Sequence, residues 1–189
     1  MVRKLTDGII LFHGSYCEVR NADLTQCKKY KDFGQGFYLT TNKEQAKNFA
    51  LLSTGKAIAD GLASQAQKYG IISSFRLHLS TELQIKIFSE ANEQWLHCVV
   101  GHRRKKQFQR FINDLAEFDI IGGKIANDDT NATILTYMAG TFGEPGSRRA
   151  DDICISLLLP ERLKDQYCFR TVKSLECLEW IKSERVWKI

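Results

Sequence analysis

Short apolar runs recur along the chain, separated by polar stretches and not by proline- or serine-rich linkers. Gly8 to Phe12 (GIILF) has the length and content of a buried strand and delivers His13-Gly14-Ser15 at its end. Residues 16–36 are polar and irregular, closing on Asp32-Phe-Gly-Gln-Gly36, which reads as a flexible turn. Phe37 to Thr40 follows as an aromatic-rich strand. Asn42 and Gln45 have the N-x-x-Q spacing of a capping box and open a helical stretch toward Tyr69. Gly55 and Gly61 interrupt that stretch, which predicts two helices.

Further along, Ile72 to Leu79 and Leu83 to Phe88 both alternate, which predicts a pair of strands. Asn92 to Ile112 is helical, with Trp95, Val99 and Val100 on its apolar side. Phe118 to Ile121 is a short strand ending at Gly122-Gly123. Ala132 to Ala139 and Ile153 to Leu159 read as helices around a surface loop, Gly140 to Arg149. Gln166 to Thr171 is a strand, followed by a short helix to Leu178 and a last strand around Trp180. Strands and helices mix without regular βαβ alternation, so the fold class is α+β.

Composition narrows this only a little. A chain of 189 residues with 43% hydrophobic and 26% charged residues is expected to be one domain, 1–189, with a core of its own. Near the start the longest apolar run is Ile9 to Phe12, far short of the roughly 20 residues of a membrane span, so no membrane association and a cytoplasmic location are expected. The six cysteines are irregularly spaced with no CxxC, as scattered free thiols are. A net charge of +5 suits a nucleotide phosphate as well as nucleic acid.

Several chemistries drop out on motif grounds. Gly34-x-Gly36 lacks the third glycine of a dinucleotide fingerprint, Gly55-Lys56 lacks the upstream glycine of a P-loop, and no G-x-S-x-G elbow occurs. Cys98 and His102 share a helix face, but no second pair at zinc spacing accompanies them, so no metal is expected. The segment from His102 to Arg110 carries Arg103, Arg104, Lys105, Lys106 and Arg110. It is either a solvated helix face or a phosphate contact, with Arg103 the cofactor-binding candidate within it.

The informative pair is His13-Gly14-Ser15 with Phe37-Tyr38-Leu39-Thr40-Thr41, polar and aromatic groups at strand ends beside glycine. Read from pattern alone, His13 as a capping residue and Tyr38 as packing compete with a ligand site. Asn127, Asp128 and Asp129 form a polar cluster that either lines a cleft or caps a helix through Asp129 or Thr130.

LFHGS followed by DFGQGFYLTTNKEQAKNFA resembles the opening of small bacterial proteins catalogued as a domain of unknown function within the ADP-ribosyltransferase superfamily. The similarity continues through Asn92-Glu-Gln-Trp95-Leu, Phe118-Asp-Ile-Ile121, Ala126-Asn-Asp-Asp-Thr130 and the stretch from Leu159 to Thr171, nearly the whole chain in order. It implies a split β-sandwich core with surrounding helices, among them insertions at about 42–69 and 92–113.

It also implies a site for NAD as co-substrate. His13 would contact the adenosine ribose, the Gly14 backbone would pair with the nicotinamide amide, and Tyr38 would stack on the nicotinamide ring. Ser15, Phe37, Thr40, Thr41 and Asn127 would complete the pocket, to which the basic segment adds Arg103 as the phosphate candidate. The third signature position, usually Glu, is Gln166 here, so the catalytic set reads His13, Tyr38, Gln166. A glutamine carbonyl accepts the ribose 2′-hydroxyl but supplies only a dipole to the oxocarbenium-like transition state and is no general base. An ionised nucleophile on the acceptor, Asp165 or Glu161 are the alternatives for that charge.

The implied activity is mono-ADP-ribosylation of a protein or nucleic acid, with NAD glycohydrolysis when no acceptor is present. A toxin acting on an intracellular macromolecule, neutralised by a small antitoxin-like partner, is the implied setting. A catalytically silent NAD-binding or protein-interaction module on the same fold is the alternative, motivated by the glutamine.

Overall fold

In the computed structural model, which describes residues 2–104, 107–126, 128–158 and 164–187 without the side chains of Asp128 and Asp129, the apolar runs become two sheets flanked by helices. In chain order the described elements are β1 (Ile10–Ser15), β2 (Phe37–Leu39), α1 (Lys43–Ala59), β3 (Tyr69–Leu77), β4 (Ile85–Ile87), α2 (Glu93–Arg103) and α3 (Gln109–Asp114). There follow β5 (Ile120–Lys124), α4 (Asp128–Met138), α5 (Arg148–Leu157), β6 (Asp165–Phe169), α6 (Val172–Glu176) and β7 (Leu178–Trp187). One sheet is β1-β3-β7, antiparallel throughout. The other is β2-β6-β5-β4, antiparallel except where β4 runs parallel to β5. The architecture is α+β.

Side-chain alternation assigns the faces. Leu11, Phe37, Leu39, Phe75, Leu77, Ile120, Tyr167 and Phe169 make one core between the two sheets. On the other face of the second sheet, Ile121 and Cys168 join Trp95, Leu96 and Val99 of α2, Ile134 of α4 and Cys154 of α5 in a second core. Trp95, Val99 and Val100 have no exposed surface, which is the apolar side expected there, but the stretch from Asn92 to Ile112 is two helices, α2 and α3, and not one, with Phe108 in the left-handed region (φ +53) just before the second.

The first sheet is covered by α1 at unusually close range. A Cβ on Gly14 would lie 2.0 Å from the Ala46 carbonyl oxygen, and one on Gly70 would lie 2.6 Å from the Ala50 backbone. The helix turns Ala46 and Ala50 toward these strands and leaves Phe49 and Leu52 exposed. It runs unbroken through Gly55 and stops at Gly61 (φ +72), where Leu62 N–H reaches the Ala57 carbonyl and Gly61 N–H reaches that of Ile58. One helix, not two, occupies the stretch. Asn42 caps it by accepting from Gln45 N–H at 2.9 Å, but the Gln45 side chain leaves the capping box and donates to the Asp165 carbonyl.

Three other expectations are corrected. His13-Gly14-Ser15 lies inside β1, not beyond it, because these residues pair with Ser73, Ile72 and Ile71 of β3. The alternating runs at 72–79 and 83–88 do not pair: β3 is held on both edges by β1 and β7, and β4 pairs with β5 in the other sheet. Gly122-Gly123 lies within β5. A Cβ on Gly122 would meet the Tyr167 ring and one on Gly123 would meet Phe33 and Trp95, so the pair makes room for aromatic rings on both faces. No helix among the described residues is long and apolar enough to cross a membrane.

Candidate functional site

The two sheets join at one corner. Phe12 and Thr40 exchange both backbone hydrogen bonds, at 2.8 and 3.0 Å, tying the edge of β1 to the end of β2. Just beyond, His13 donates from Nδ1 to the Tyr38 carbonyl at 2.8 Å; a carbonyl only accepts, so this fixes the tautomer and leaves Nε2 as an acceptor. The imidazole lies 4.4 Å from the Phe37 ring. Burial lowers its pKa below the ordinary 6.5, opposed by the bond to Tyr38.

Strand parity adds a feature at Gly14. Leu77 N–H of β3 donates to the Ile9 carbonyl, and Phe12 bonds Thr40 on the opposite edge. Gly14, two residues on from Phe12, therefore directs its N–H and C=O to that same edge, away from β3. The glycine itself is required by α1 on its Cα side.

Tyr38 and Gln166 share the outer face of the second sheet, since Tyr38 stands opposite Cys168 in the β2–β6 ladder and Gln166 is two residues before it. The loop from Asp32 to Gly36 is bound across this face. Tyr38 Oη accepts from Phe33 N–H at 2.9 Å and donates to the Gly34 carbonyl at 2.8 Å, while burial holds the phenol pKa well above its ordinary value. Far from being a flexible turn, the loop buries Phe33 completely.

At the centre of this face is Asp32, 7% exposed. Its Oδ1 accepts from Arg103 Nε at 3.0 Å and Nη2 at 2.7 Å. Its Oδ2 accepts from Gln166 Nε2 at 2.7 Å and Ala126 N–H at 3.0 Å. Arg103 also donates to the Ala126 carbonyl and to Asn131 Oδ1. The guanidinium is committed to the fold at every nitrogen. Arg103 therefore ties elements together where the sequence pattern offered it as a phosphate contact. Arg104 and Arg110 are exposed.

Other expected pocket residues are likewise engaged. Thr40 Oγ1 and Thr41 Oγ1 donate to the Asp165 carboxylate at 3.0 and 2.7 Å, with Thr41 N–H adding a third bond, so these residues clasp β6 to β2. Asp165 is thereby a clasp and not a free carboxylate. Phe37 is 5% exposed, packed edge-on to Phe75 in the inter-sheet core. Ser15 Oγ contacts Cys17 Sγ at 3.9 Å. Asn127, Glu161, Lys105 and Lys106, and the side chains of Asp128 and Asp129, lie outside the described residues. Because α4 begins at Asp128, Asp129 and Thr130 sit within its first turn and neither is its cap.

A second polar cluster lies in the helical layer. His97 Nε2 meets Asp151 Oδ2 at 2.7 Å, the Tyr137 hydroxyl donates to Asp151 Oδ1, and Gly146 N–H donates to Tyr137. The imidazole stacks on Phe108 at 3.9 Å. Glu93, His97 and Asp151 bring one possible ligand atom each within 4.8 Å of one another, a metal-capable grouping the sequence pattern did not flag. The direct His97–Asp151 bond accounts for that pair without an ion. Cys98 is buried in the second core, and the His102 ring packs against Gly34. All six cysteines are free, and burial pushes the Cys154 and Cys168 thiols up to about 12, far from thiolate chemistry.

Fold and site together define an α+β domain of two sheets joined at a corner, with a buried polar network behind the joint. The chain belongs to the family described as protein of unknown function (DUF3990), whose profile matches residues 9–180. No curated protein matches it.

Proposed function

We propose that this chain is an NAD-dependent mono-ADP-ribosyltransferase on a split-sandwich scaffold, acting as an NAD glycohydrolase when no acceptor is bound. The observation that carries the reading is the sheet corner. It gathers a free backbone donor–acceptor pair at Gly14, an imidazole acceptor at His13, and Tyr38 and Gln166 on one face of the neighbouring strands. A primary carboxamide such as that of nicotinamide complements the N–H and C=O of one strand residue. His13 Nε2 suits a ribose hydroxyl, Tyr38 offers a ring for stacking, and the Gln166 carbonyl accepts the 2′-hydroxyl of the nicotinamide ribose.

In the reaction the C1′–N bond of NAD breaks and its electron pair leaves with nicotinamide, which becomes neutral. The ribosyl cation is captured by a nucleophile of the acceptor, or by water, which loses a proton to solvent. The protein orients the ribose and stabilises the developing positive charge.

The test is incubation with NAD labelled on its adenylate moiety, with and without cell extract fractionated into protein and nucleic acid. Label retained on a macromolecule supports transfer, and free labelled ADP-ribose alone supports glycohydrolysis. NAD bound but unchanged supports the silent module, which the glutamine at 166 favours. Absence of NAD binding overturns the proposal.

A further inference from the structure

A glutamine presents two ends of opposite polarity, and only its carbonyl end is useful beside a developing cation. Something must choose which end faces the ligand. We infer, on the NAD-cleaving reading above, that Asp32 is the positioning residue for Gln166 and supplies through it the negative charge that an amide lacks.

The geometry is specific. The two oxygens of Asp32 divide their work: Oδ1 takes the Arg103 fork, and Oδ2 takes Gln166 Nε2 at 2.7 Å together with Ala126 N–H. Four N–H donors fill the carboxylate's lone-pair positions. Reversing the Gln166 amide would set its Oε1 against Oδ2, two acceptors at hydrogen-bond distance, so the NH₂ group is held on Asp32 and Oε1 faces away from it. A charge-assisted bond of this kind also draws electron density in the amide toward Oε1, making it a stronger acceptor for a ribose hydroxyl and a more negative neighbour for the anomeric carbon. Arg103 does not cancel this. It binds the far oxygen, so the ion pair is a dipole whose negative end meets Gln166. Gln166 is 7% exposed and Asp32 equally so, which limits screening of the effect by water.

The test exchanges the two functional groups. NAD cleavage and NAD affinity are measured for wild type, D32N, Q166E and the double variant D32N/Q166E, with thermal melts for each. In D32N the amide at 166 loses its fixed polarity, and kcat is expected to fall at least about tenfold per folded molecule, with a smaller but measurable weakening of NAD affinity. Q166E alone opposes two buried carboxylates and is expected to melt early. D32N/Q166E restores a donor–acceptor pair with the carboxylate now at 166, so it is expected to melt near D32N and cleave NAD at or above the wild-type rate, with a new acid limb in its pH profile. A purely structural Asp32 lowers the melting temperature without moving kcat and gives no rescue.

Folded D32N that cleaves at the wild-type rate overturns the inference. Should D32N not fold, the double variant decides: folded and inactive overturns the inference, folded and active supports it. If wild type binds NAD without cleaving it, affinity is read instead, and equal Kd for wild type and D32N overturns it. Wild type that does not bind NAD removes the parent reading and this one together, an outcome distinct from all the others.

Discussion

His13 spends its Nδ1 proton on the Tyr38 carbonyl, 2.8 Å away across the corner where the two sheets meet. The bond registers β1 against β2 and leaves Nε2 able only to accept while the ring is neutral. Because burial lowers the imidazole pKa from 6.5, the ring stays neutral through physiological pH. Protonation converts that acceptor into a donor. NAD affinity, followed by calorimetric titration, is therefore expected to be flat from about pH 8 to 6.5 and to weaken at lower pH as the depressed value is crossed. His13→Ala is expected to bind more weakly and to lose the acid limb.

Arg103 and Arg104 are neighbours in the basic segment with different fates. Arg103→Met strips the buried Asp32 of its cation and is expected to cost about 3–5 kcal/mol in urea unfolding. Arg104→Met, on an exposed side chain, is expected to stay within about 0.5 kcal/mol. Equal effects of the two substitutions would contradict the buried network.

Tyr38 carries two separable contributions. Tyr38→Phe keeps the ring but leaves the Phe33 N–H and Gly34 carbonyl without their partner, at an expected cost of about 1–3 kcal/mol in stability. Its NAD affinity per folded molecule is expected to match wild type. Tyr38→Ala removes the ring as well and is expected to lose both.

The ring of His102 is packed against Gly34, close enough that a Cβ there would lie 2.9 Å from it, and its buried Nε2 has no hydrogen-bond partner. Burial, reinforced by Arg170, lowers its pKa from 6.5 to about 4. The unfolded chain therefore binds the extra proton first, so the stability of the neutral form is fully present above pH 6.5 and is lost as pH falls toward 4. Roughly 2–3 kcal/mol is expected to disappear across that window. His102→Leu should flatten this part of the curve.

The legible parts of the fold were those with strong local signals. Trp95, Val99 and Val100 marked the buried face of α2, and the Asn42 cap marked the start of α1. Glycine is ambiguous in the sequence, because Gly55, Gly122 and Gly123 look locally like breaks. The first is tolerated in the middle of α1, and the other two serve rings arriving from distant segments. The candidate site divides the same way. His13, Tyr38 and Gln166 stood out by resemblance and come to one corner. Asp32 did not, because its partners Arg103, Ala126 and Gln166 are 71, 94 and 134 positions away and no periodicity links them. The same holds for His97 and Asp151, 54 positions apart.

The most direct measurement is nicotinamide release from NAD by the purified chain, followed by chromatography and compared with Gln166→Ala. The wild type is predicted to release nicotinamide in proportion to time and protein, and folded Gln166→Ala to lose at least about tenfold of that rate. Release by both proteins at the same rate, or no release and no NAD binding by the wild type, would contradict the account.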